Sequence, residues 1–386
     1  MTLVVSALMA PALLYLGFRY YSVGTQISEK WHGLRLLLPI ILVSFYCFPI
    51  SALADYYITG GIDVLKYPKA LTYWFWFGLI FVFQLATWII VADLLKLGSR
   101  FLSWGTKSVV LYHARAAIAL FLLVFTYTGW KVYHDTTTIK TDRITVTVDG
   151  LPKSLDGFKL VHISDIQGDE YTGQEEIARY IRKVNEQNPD LTVFTGDLIS
   201  YGTDFIQMSA NEMGELKADY GTIAVVGDHD YWAGTSNVRS ALQVEGIPLL
   251  QDQNHTLQTD SSNILITGVT EVYSKHVNPA VVDSLTSSSE ADLKIFASHQ
   301  VKDHLIERAR DNSYDLMLAG HTHGGQIYVP FMGTGFSASE RETKYVSGLY
   351  REEDIPINVN NGLGFTLAPI RYNAQPNISV ITFRSK

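Results

Sequence analysis

Seven side chains able to hold a metal or move a proton recur in one pattern along the 386-residue sequence: each stands just past a short apolar run. The stretch KLVHISDIQ delivers Asp165, with Gln167 two positions on; LTVFTGDLIS delivers Asp197; TIAVVGDHD delivers Asp228 and His229, followed by Asp230. Further on, LKIFASHQ supplies His299, and YDLMLAGHTHGGQ supplies His321 and His323. Carboxylates and imidazoles brought together repel or desolvate one another unless a cation sits among them. An oxygen-and-nitrogen donor set of this kind suits Mn, Fe or Zn, with Mg as the hard-ion alternative. The single cysteine, Cys47, lies in an apolar run far from these residues, so the set contains no thiolate. Two such ions about 3.5–4 Å apart can clamp both the attacking and the leaving oxygen of a phosphoryl transfer. That is the chemistry these residues predict.

Such a centre needs elements that bring distant positions to one place. Runs 161–164, 191–195, 222–226, 293–297 and 314–318 read as buried strands, and stretches 174–188, 236–245 and 301–310 between them have helical character. Residues 144–148 alternate as a half-exposed strand, and 378–383 closes the sequence with another. This alternation predicts a layered α/β domain. In open α/β sheets the loops leaving the carboxyl ends of strands build the site, so five strands would carry these groups to a single edge.

The first third of the chain is different in kind. Residues 1–18, 36–54 and 70–92 contain no charged side chain, and a shorter run covers 116–130. Each of the first three is about the length of a membrane-crossing helix, roughly 17–25 residues. Aromatic residues such as Tyr15, Tyr20, Trp74, Trp104 and Trp130 suit the interfaces. Four spans are expected, giving a multi-pass membrane domain at 1–134 and a soluble domain at 135–386. The two parts also differ in charge. Residues 1–131 carry ten Lys and Arg against four acidic residues, whereas 132–386 carry 20 against 34. A soluble part this acidic argues against a nucleic-acid partner, which needs a basic stripe.

With four spans both termini lie on one side. Seven cationic residues (Arg19, Lys30, Arg35, Lys96, Arg100, Lys107 and Arg115) would then face five on the other side (Lys66, Lys69, Lys131, Lys140 and Arg143). The excess of Lys and Arg marks the cytoplasmic side, which places the soluble domain outside the cytoplasm.

Over residues 143–386 the sequence resembles the calcineurin-like metallophosphoesterase superfamily, in the bacterial branch whose catalytic domain follows a membrane segment. The resemblance is carried by ITVTVDGLPKSLDGFKLVHISDIQ, by GHTHGGQ and by NNGLGFTLAPIRYNAQP. It implies two facing β-sheets flanked by helices and a centre of two divalent metal ions. By position, Asp165 and His323 would hold the first ion, Asp197 would bridge both, and Asp228, His299 and His321 would complete the second. His229 would sit beside the phosphate as general acid or electrostatic stabiliser, with Asp230 orienting its ring. Two positions depart from the pattern. Gln167 stands where the family has histidine, offering a neutral amide oxygen to the first ion, and Asp228 replaces the asparagine of the GNHD block.

The function expected is hydrolysis of a phosphomonoester, phosphodiester or pyrophosphate, on a substrate that the bilayer anchor would allow to be lipid-linked. Gln167 motivates the rival reading, a degenerate membrane sensor or scaffold that binds metal or phosphate without turnover.

Overall fold

The computed structural model describes residues 2–26, 33–59, 67–99, 106–287, 290–331 and 334–386. The chain divides into two compact units, Met1–His134 with Ala368–Ile370, and Asp135–Leu367 with Arg371–Lys386.

The N-terminal unit is helical: α1 (Thr2–Gln26), α2 (Leu34–Ser44), α3 (Cys47–Thr59), α4 (Lys69–Ser99) and α5 (Thr106–Thr137). Segments Leu3–Gln26, Lys69–Ser99 and Ser108–Thr137 are each long and apolar enough to cross a membrane. The short run expected at 116–130 is thus the middle of a much longer helix. The second expected span, 36–54, is broken: Arg35–Ser44 and Cys47–Ile58 meet at a 50° bend and make a fourth crossing only if they count as one span. Pro49 explains the break, since it has no N–H to give the Phe45 carbonyl and its ring clashes there. At the corner, Phe45 and Tyr46 donate instead to Leu42 and Val43, three residues back. Phe45 packs against Phe77 and Phe81 of α4, which meet Phe121 and Phe125 of α5. A side chain at Gly78 would collide with the Phe45 ring, so glycine permits that close approach. Trp104, Lys30, Lys66 and Arg100, used in the interface and charge arguments, lie outside the described residues.

The second unit begins with β1 (Lys140–Val148) and β2 (Lys159–Ile163), then α6 (Gln174–Asn185), β3 (Leu191–Phe194), α7 (Ile206–Met213) and β4 (Thr222–Val225). Next come α8 (Asp228–Trp232), α9 (Thr235–Val244), β5 (Leu249–Leu250), β6 (Gln253–Gln258), β7 (Asn263–Val269) and α10 (Pro279–Thr286). The remainder is β8 (Leu293–Ser298), α11 (Asp303–Asp311), β9 (Leu316–Ala319), β10 (Val329–Phe331), β11 (Thr334–Phe336), β12 (Gly348–Glu352), β13 (Ile355–Val359) and β14 (Asn377–Ser385). Two six-stranded sheets result, ordered β1-β14-β2-β3-β4-β5 and β12-β13-β9-β8-β7-β6, beside the small β10-β11 ribbon. Strands β2 to β5 run parallel, as do β7, β8, β9 and β13, while β14 is antiparallel to β2 and parallel to β1.

Strand alternation builds the layers. Leu160, Val193, Ile223, Ile266, Ile295 and Leu318 belong to the core between the sheets. Their neighbours Val161, Phe194 and Ala224 face outward onto α6, α7 and α9 through Ile177, Met213 and Leu242. On the other sheet, Phe296, Met317 and Ile357 meet Val282, Leu305 and Ile306 of α10 and α11. Successive side chains point to opposite faces, so a strand buried on both sides reads as an unbroken apolar run. The result is two facing sheets flanked by helices.

Candidate metal centre

All the chemically marked residues sit within a few positions of a strand's carboxyl end, at one edge of the sandwich. Asp165 follows β2, Asp197 follows β3, Asp228 and His229 open α8 after β4, His299 follows β8, and His321 and His323 follow β9. Backbone hydrogen bonds tie these loops together. Asp165 N donates to Gly196 O at 2.9 Å, Gln167 N to Asp197 O at 3.0 Å, and Gly320 N to His299 O at 3.0 Å. His321 N donates to the Asp165 carboxylate at 3.0 Å, linking the two sheets. Asp165, Gln167, Asp197, His321 and His323 all have positive φ, between 50° and 71°. That conformation costs roughly 1–2 kcal/mol for a residue with a Cβ. The loop network must supply that energy, and in return the side chains are turned inward. At Gly227 any side chain would strike the backbone N and carboxylate of Asp197, so α8 starts directly against the site.

One pocket of the site is built around Asp165, which is completely buried. His323 Nε2 lies 3.2 Å from its Oδ1. Gln167 turns its amide nitrogen to Asp197 Oδ2 at 2.8 Å, leaving its own buried oxygen without a hydrogen-bond partner. Behind this pocket stands Arg371, fully buried, donating to the carbonyls of His323, Ala374, Asn361, Gly362 and Gly364 and reaching His323 Nδ1 at 3.3 Å.

The other pocket gathers Asp228, His299 and His321. His321 Nδ1 is 2.9 Å from Asp228 Oδ2, and His299 Nε2 is 3.4 Å from the same oxygen and 3.3 Å from Asp197 Oδ2. His299 is oriented by its Nδ1, 2.7 Å from the Thr195 carbonyl. Gln300 donates to both oxygens of Asp228, at 3.1 and 2.8 Å. The far nitrogen of His321 meets Glu342 at 3.0 Å and the Tyr273 hydroxyl at 3.2 Å, and that hydroxyl in turn donates to Glu342.

Asp197 stands between the pockets, touching Gln167, His299 and the backbone N–H of His229 (2.8 Å). His229 is held at Nδ1 by the Ser200 carbonyl, with Nε2 3.9 Å from Asp197 Oδ2 and the ring edge-on to Trp232. Asp230 departs from the expected role of orienting that ring. Its carboxylate accepts from the backbone N–H groups of Asp197, Leu198 and Gly227, at 2.9, 2.9 and 3.0 Å, and so braces the turn that carries Asp197. Three amides surround it because the helix start and the Asp197 turn both point N–H groups into one buried space. Arg371, Glu342, Tyr273 and Gln300 had no reading in the sequence. Arg371 and Gln300 stood inside quoted motifs.

The electrostatics of the two pockets differ. Burial pushes the Asp165 carboxyl up, but His323 and His299 hold it below the usual carboxylate range. Burial acts likewise on Asp228, and hydrogen bonds from His299 and His321 outweigh it. Burial opposes charge on His299, yet Asp197 and Asp228 raise it well above its ordinary value. His321 is raised to about 9 against burial, by Asp228 and Glu342. His323 goes the other way, lowered by burial with Arg371 adding to that, despite Asp165. Burial and the Asp197 charge push Asp230 up to about 6. A site that holds protons this tightly is one that demands positive charge. Asp228, His299 and His321 form one group, and Asp165, Asp197 and His299 another, with ligand atoms within 4.8 Å of one another in each. Asp165 Oδ1, Gln167 Oε1 and His299 Nε2 are buried with no hydrogen-bond partner. Orphaned buried acceptors of this kind are costly unless something fills the space between them, and this donor set fits divalent metal ions.

The profile of the calcineurin-like phosphoesterases matches residues 158–325, from the start of β2 through the loop after His323. The chain is 32% identical over 261 residues to the uncharacterized metallophosphoesterase YkuE of Bacillus subtilis, covering 67% of this chain and 90% of that protein. The chain belongs to the calcineurin-like phosphoesterase family. A zebrafish transmembrane protein with metallophosphoesterase domain is 26% identical over 62% of this chain and 56% of its own length. The phosphodiesterase YaeI of Escherichia coli is 28% identical over 58% of this chain and 81% of its own. This calcineurin-like chain is thus a metal-dependent phosphoester hydrolase, with Asp and His groups able to bind metal.

Proposed function

We propose that this phosphoesterase is anchored in a membrane by its N-terminal helices and hydrolyses a phosphodiester at a centre of two divalent ions. The observation that carries the reading is the convergence of five strand ends at one sandwich edge, where Asp165 Oδ1, Gln167 Oε1 and His299 Nε2 are buried without a hydrogen-bond partner. Asp165, Gln167 and His323 would hold one ion, Asp228, His299 and His321 the other, with Asp197 reaching both. Ions bound there would polarise the phosphoryl oxygens and activate water as nucleophile.

The chain's own contribution is positioning and proton transfer. With Nδ1 tied to the Ser200 carbonyl, a protonated His229 ring offers its Nε2 proton toward the site, where a leaving alkoxide needs it. Asp230 keeps Asp197 aimed through three backbone amides. YaeI, described as a phosphodiesterase, supports a diester over a monoester. The three long apolar helices, with the bent α2–α3 pair as a fourth crossing, support a multi-pass anchor, and the lysine and arginine distribution favours the catalytic domain outside the cytoplasm. An anchored site of this kind suits a lipid-linked phosphodiester.

The test is hydrolysis of bis-p-nitrophenyl phosphate, p-nitrophenyl phosphate and a p-nitrophenyl lipid phosphodiester by the purified full chain, with Mn, Fe, Zn or Mg after chelation. Metal-dependent cleavage favouring the diesters is expected. Stoichiometric metal binding without cleavage of any of the three would instead support a sensor or scaffold.

A further inference from the structure

The last turn of α5, residues 135–137, belongs to the phosphoesterase unit, and it carries a residue that helix physics disfavours there. Asp135 is fully buried. A carboxylate in a final turn meets the negative end of the helix dipole, and its burial is tolerated only where hydrogen bonds compensate it. Asn373 N donates to Asp135 Oδ2 at 2.6 Å. One residue on, Thr136 Oγ1 accepts from Arg371 N at 3.0 Å and lies 3.5 Å from the Arg371 carbonyl. The helix end thus grips residues 371 and 373 by their backbone. Tyr372, between them, is bonded through its own N and O to Gln326 and Tyr328, each at 2.9 Å.

What the gripped segment holds in turn is the Asp165 pocket. The Arg371 guanidinium donates to the carbonyls of Asn361, Gly362 and Gly364 and to that of His323. Residues 361–364 lie directly on the first strand loop. Leu363 N and Gly364 N donate to the Asp165 carbonyl, at 3.1 and 2.8 Å. A Cβ at Gly362 would strike the Asp165 side chain, and one at Gly364 would strike the Ile166 carbonyl and the Gln167 side chain. Asp165, Gln167 and His323 therefore each touch chain that Arg371 holds. A guanidinium is a rigid fork, so its donors keep their aim only while the Arg371 backbone stays in place. Asp228, His299 and His321 are braced differently, by Gln300, the Thr195 carbonyl and Glu342.

We infer that Asp135 and Thr136, at the end of α5, are positioning residues for the Asp165 pocket, fixing the backbone from which Arg371 sets Asp165, Gln167 and His323. This rests on the reading of those three as ligands of one ion. The test titrates the metal-free full chain with manganese by calorimetry; the step of the Asp165 pocket is the one that Asp165→Asn removes. Thr136→Val, which keeps the side chain's shape and loses the hydroxyl, and Asp135→Ala each weaken that step about tenfold, the lower end of outer-partner effects on metal sites. The other step stays unchanged. Thr136→Ser, which keeps an oxygen for the same amide, retains wild-type affinity. Because Asp135→Ala leaves a backbone amide without its acceptor and can unfold the chain, Thr136→Val keeps the outcome decisive. A residue that only stabilises the fold would weaken both steps alike or neither, and either result with Thr136→Val overturns the positioning role while the two-ion reading stands. Equal loss in Thr136→Ser and Thr136→Val would place the effect in packing and overturn the hydrogen-bonded link. A wild-type isotherm of one step, or one that Asp165→Asn leaves intact, overturns the two-ion reading and this inference with it.

Discussion

The two pockets of the candidate metal centre both draw on aspartate and histidine and are backed by opposite charges. Behind His323 stands Arg371, a buried cation; behind His321 stands Glu342, a carboxylate shared with Tyr273. The Asp165 pocket has in addition a neutral amide, Gln167, where an imidazole would bind more tightly. Protons already register the asymmetry, since His321 is raised to about 9 while His323 is lowered. Donor identity alone would rank the pockets by one ligand. The groups behind the ligands widen that gap, because in a buried site an unscreened charge one residue further out acts on any cation placed there. The Asp228 pocket should therefore fill first and hold its ion, and the Asp165 pocket should fill second and exchange.

The most severe way to break this comparison is to remove what the pockets share. Asp197→Asn should abolish detectable hydrolysis and reduce metal stoichiometry in both pockets, measured by elemental analysis alongside turnover. If it empties only one, Asp197 does not link them. His229→Ala should lower kcat by roughly 10²–10⁴-fold, the range for a positioned acid, with bound metal unchanged; loss of metal would make His229 a ligand.

Proton competition sharpens the contrast. An ion entering the Asp228 pocket must displace the proton that His321 holds up to about 9. Affinity there should rise about tenfold per pH unit for each proton released from near neutrality up to about 9, then level off. The Asp165 pocket, with His323 lowered, should show no such rise across that window. The metal-free fold should behave inversely: a raised histidine stabilises it fully below its ordinary value, and that stability is lost as pH climbs through about 9. Calorimetric titration and thermal melts at pH 6.5, 7.5 and 8.5 read both, and parallel pH dependence in the two pockets would erase the distinction.

Smaller changes act on one side only. Glu342→Gln should weaken the Asp228 pocket by about 10–100-fold, the scale of outer-partner effects on metal sites, without altering the other pocket. Gln167→His should tighten the Asp165 pocket for Zn or Fe by about tenfold on the same scale. It also removes the hydrogen bond to Asp197, so turnover need not follow affinity. An unchanged isotherm would mean that residue 167 serves only that hydrogen bond.

These outer groups mark where sequence reading stops. Asp165, Asp197, Asp228, His299, His321 and His323 were legible as candidates because each stands one to four residues past a buried strand, a local pattern. Glu342 reaches His321 across 21 positions, and Arg371 reaches His323 across 48, with no periodicity to announce either. Asp230 was misread because adjacency to His229 suggested a partner, whereas the start of α8 turns its carboxylate to the amides behind Asp197. Of the inner parallel strands, β7 and β13 were not read, whereas β2, β3, β4, β8 and β9 were likewise visible as apolar runs. The edge strands β6 and β12 were not, since both are half exposed and polar, and QNHTLQ has the composition of a loop. In the N-terminal unit, Pro49 was counted within an apolar run, although the helix breaks just before it.

One feature of the sandwich also bears on the order in which the protein can become whole. Strand β14 lies between β1 and β2, pairing Lys140 with Asn377, 237 positions further on. A ribosome releases the first of these strands long before it makes the one that joins them to the sheet. Until β14 arrives, β2 has an open edge, and Ile381 and Phe383 are missing from the layer between the sheets. The loops after β2, β3, β4, β8 and β9 that carry the candidate metal ligands would by then all have been synthesised, on a sheet lacking one of its inner strands. Nascent chains stalled before residue 377 should consequently be protease-sensitive throughout the soluble unit, and release of the last strand should confer protection on all of it in one step.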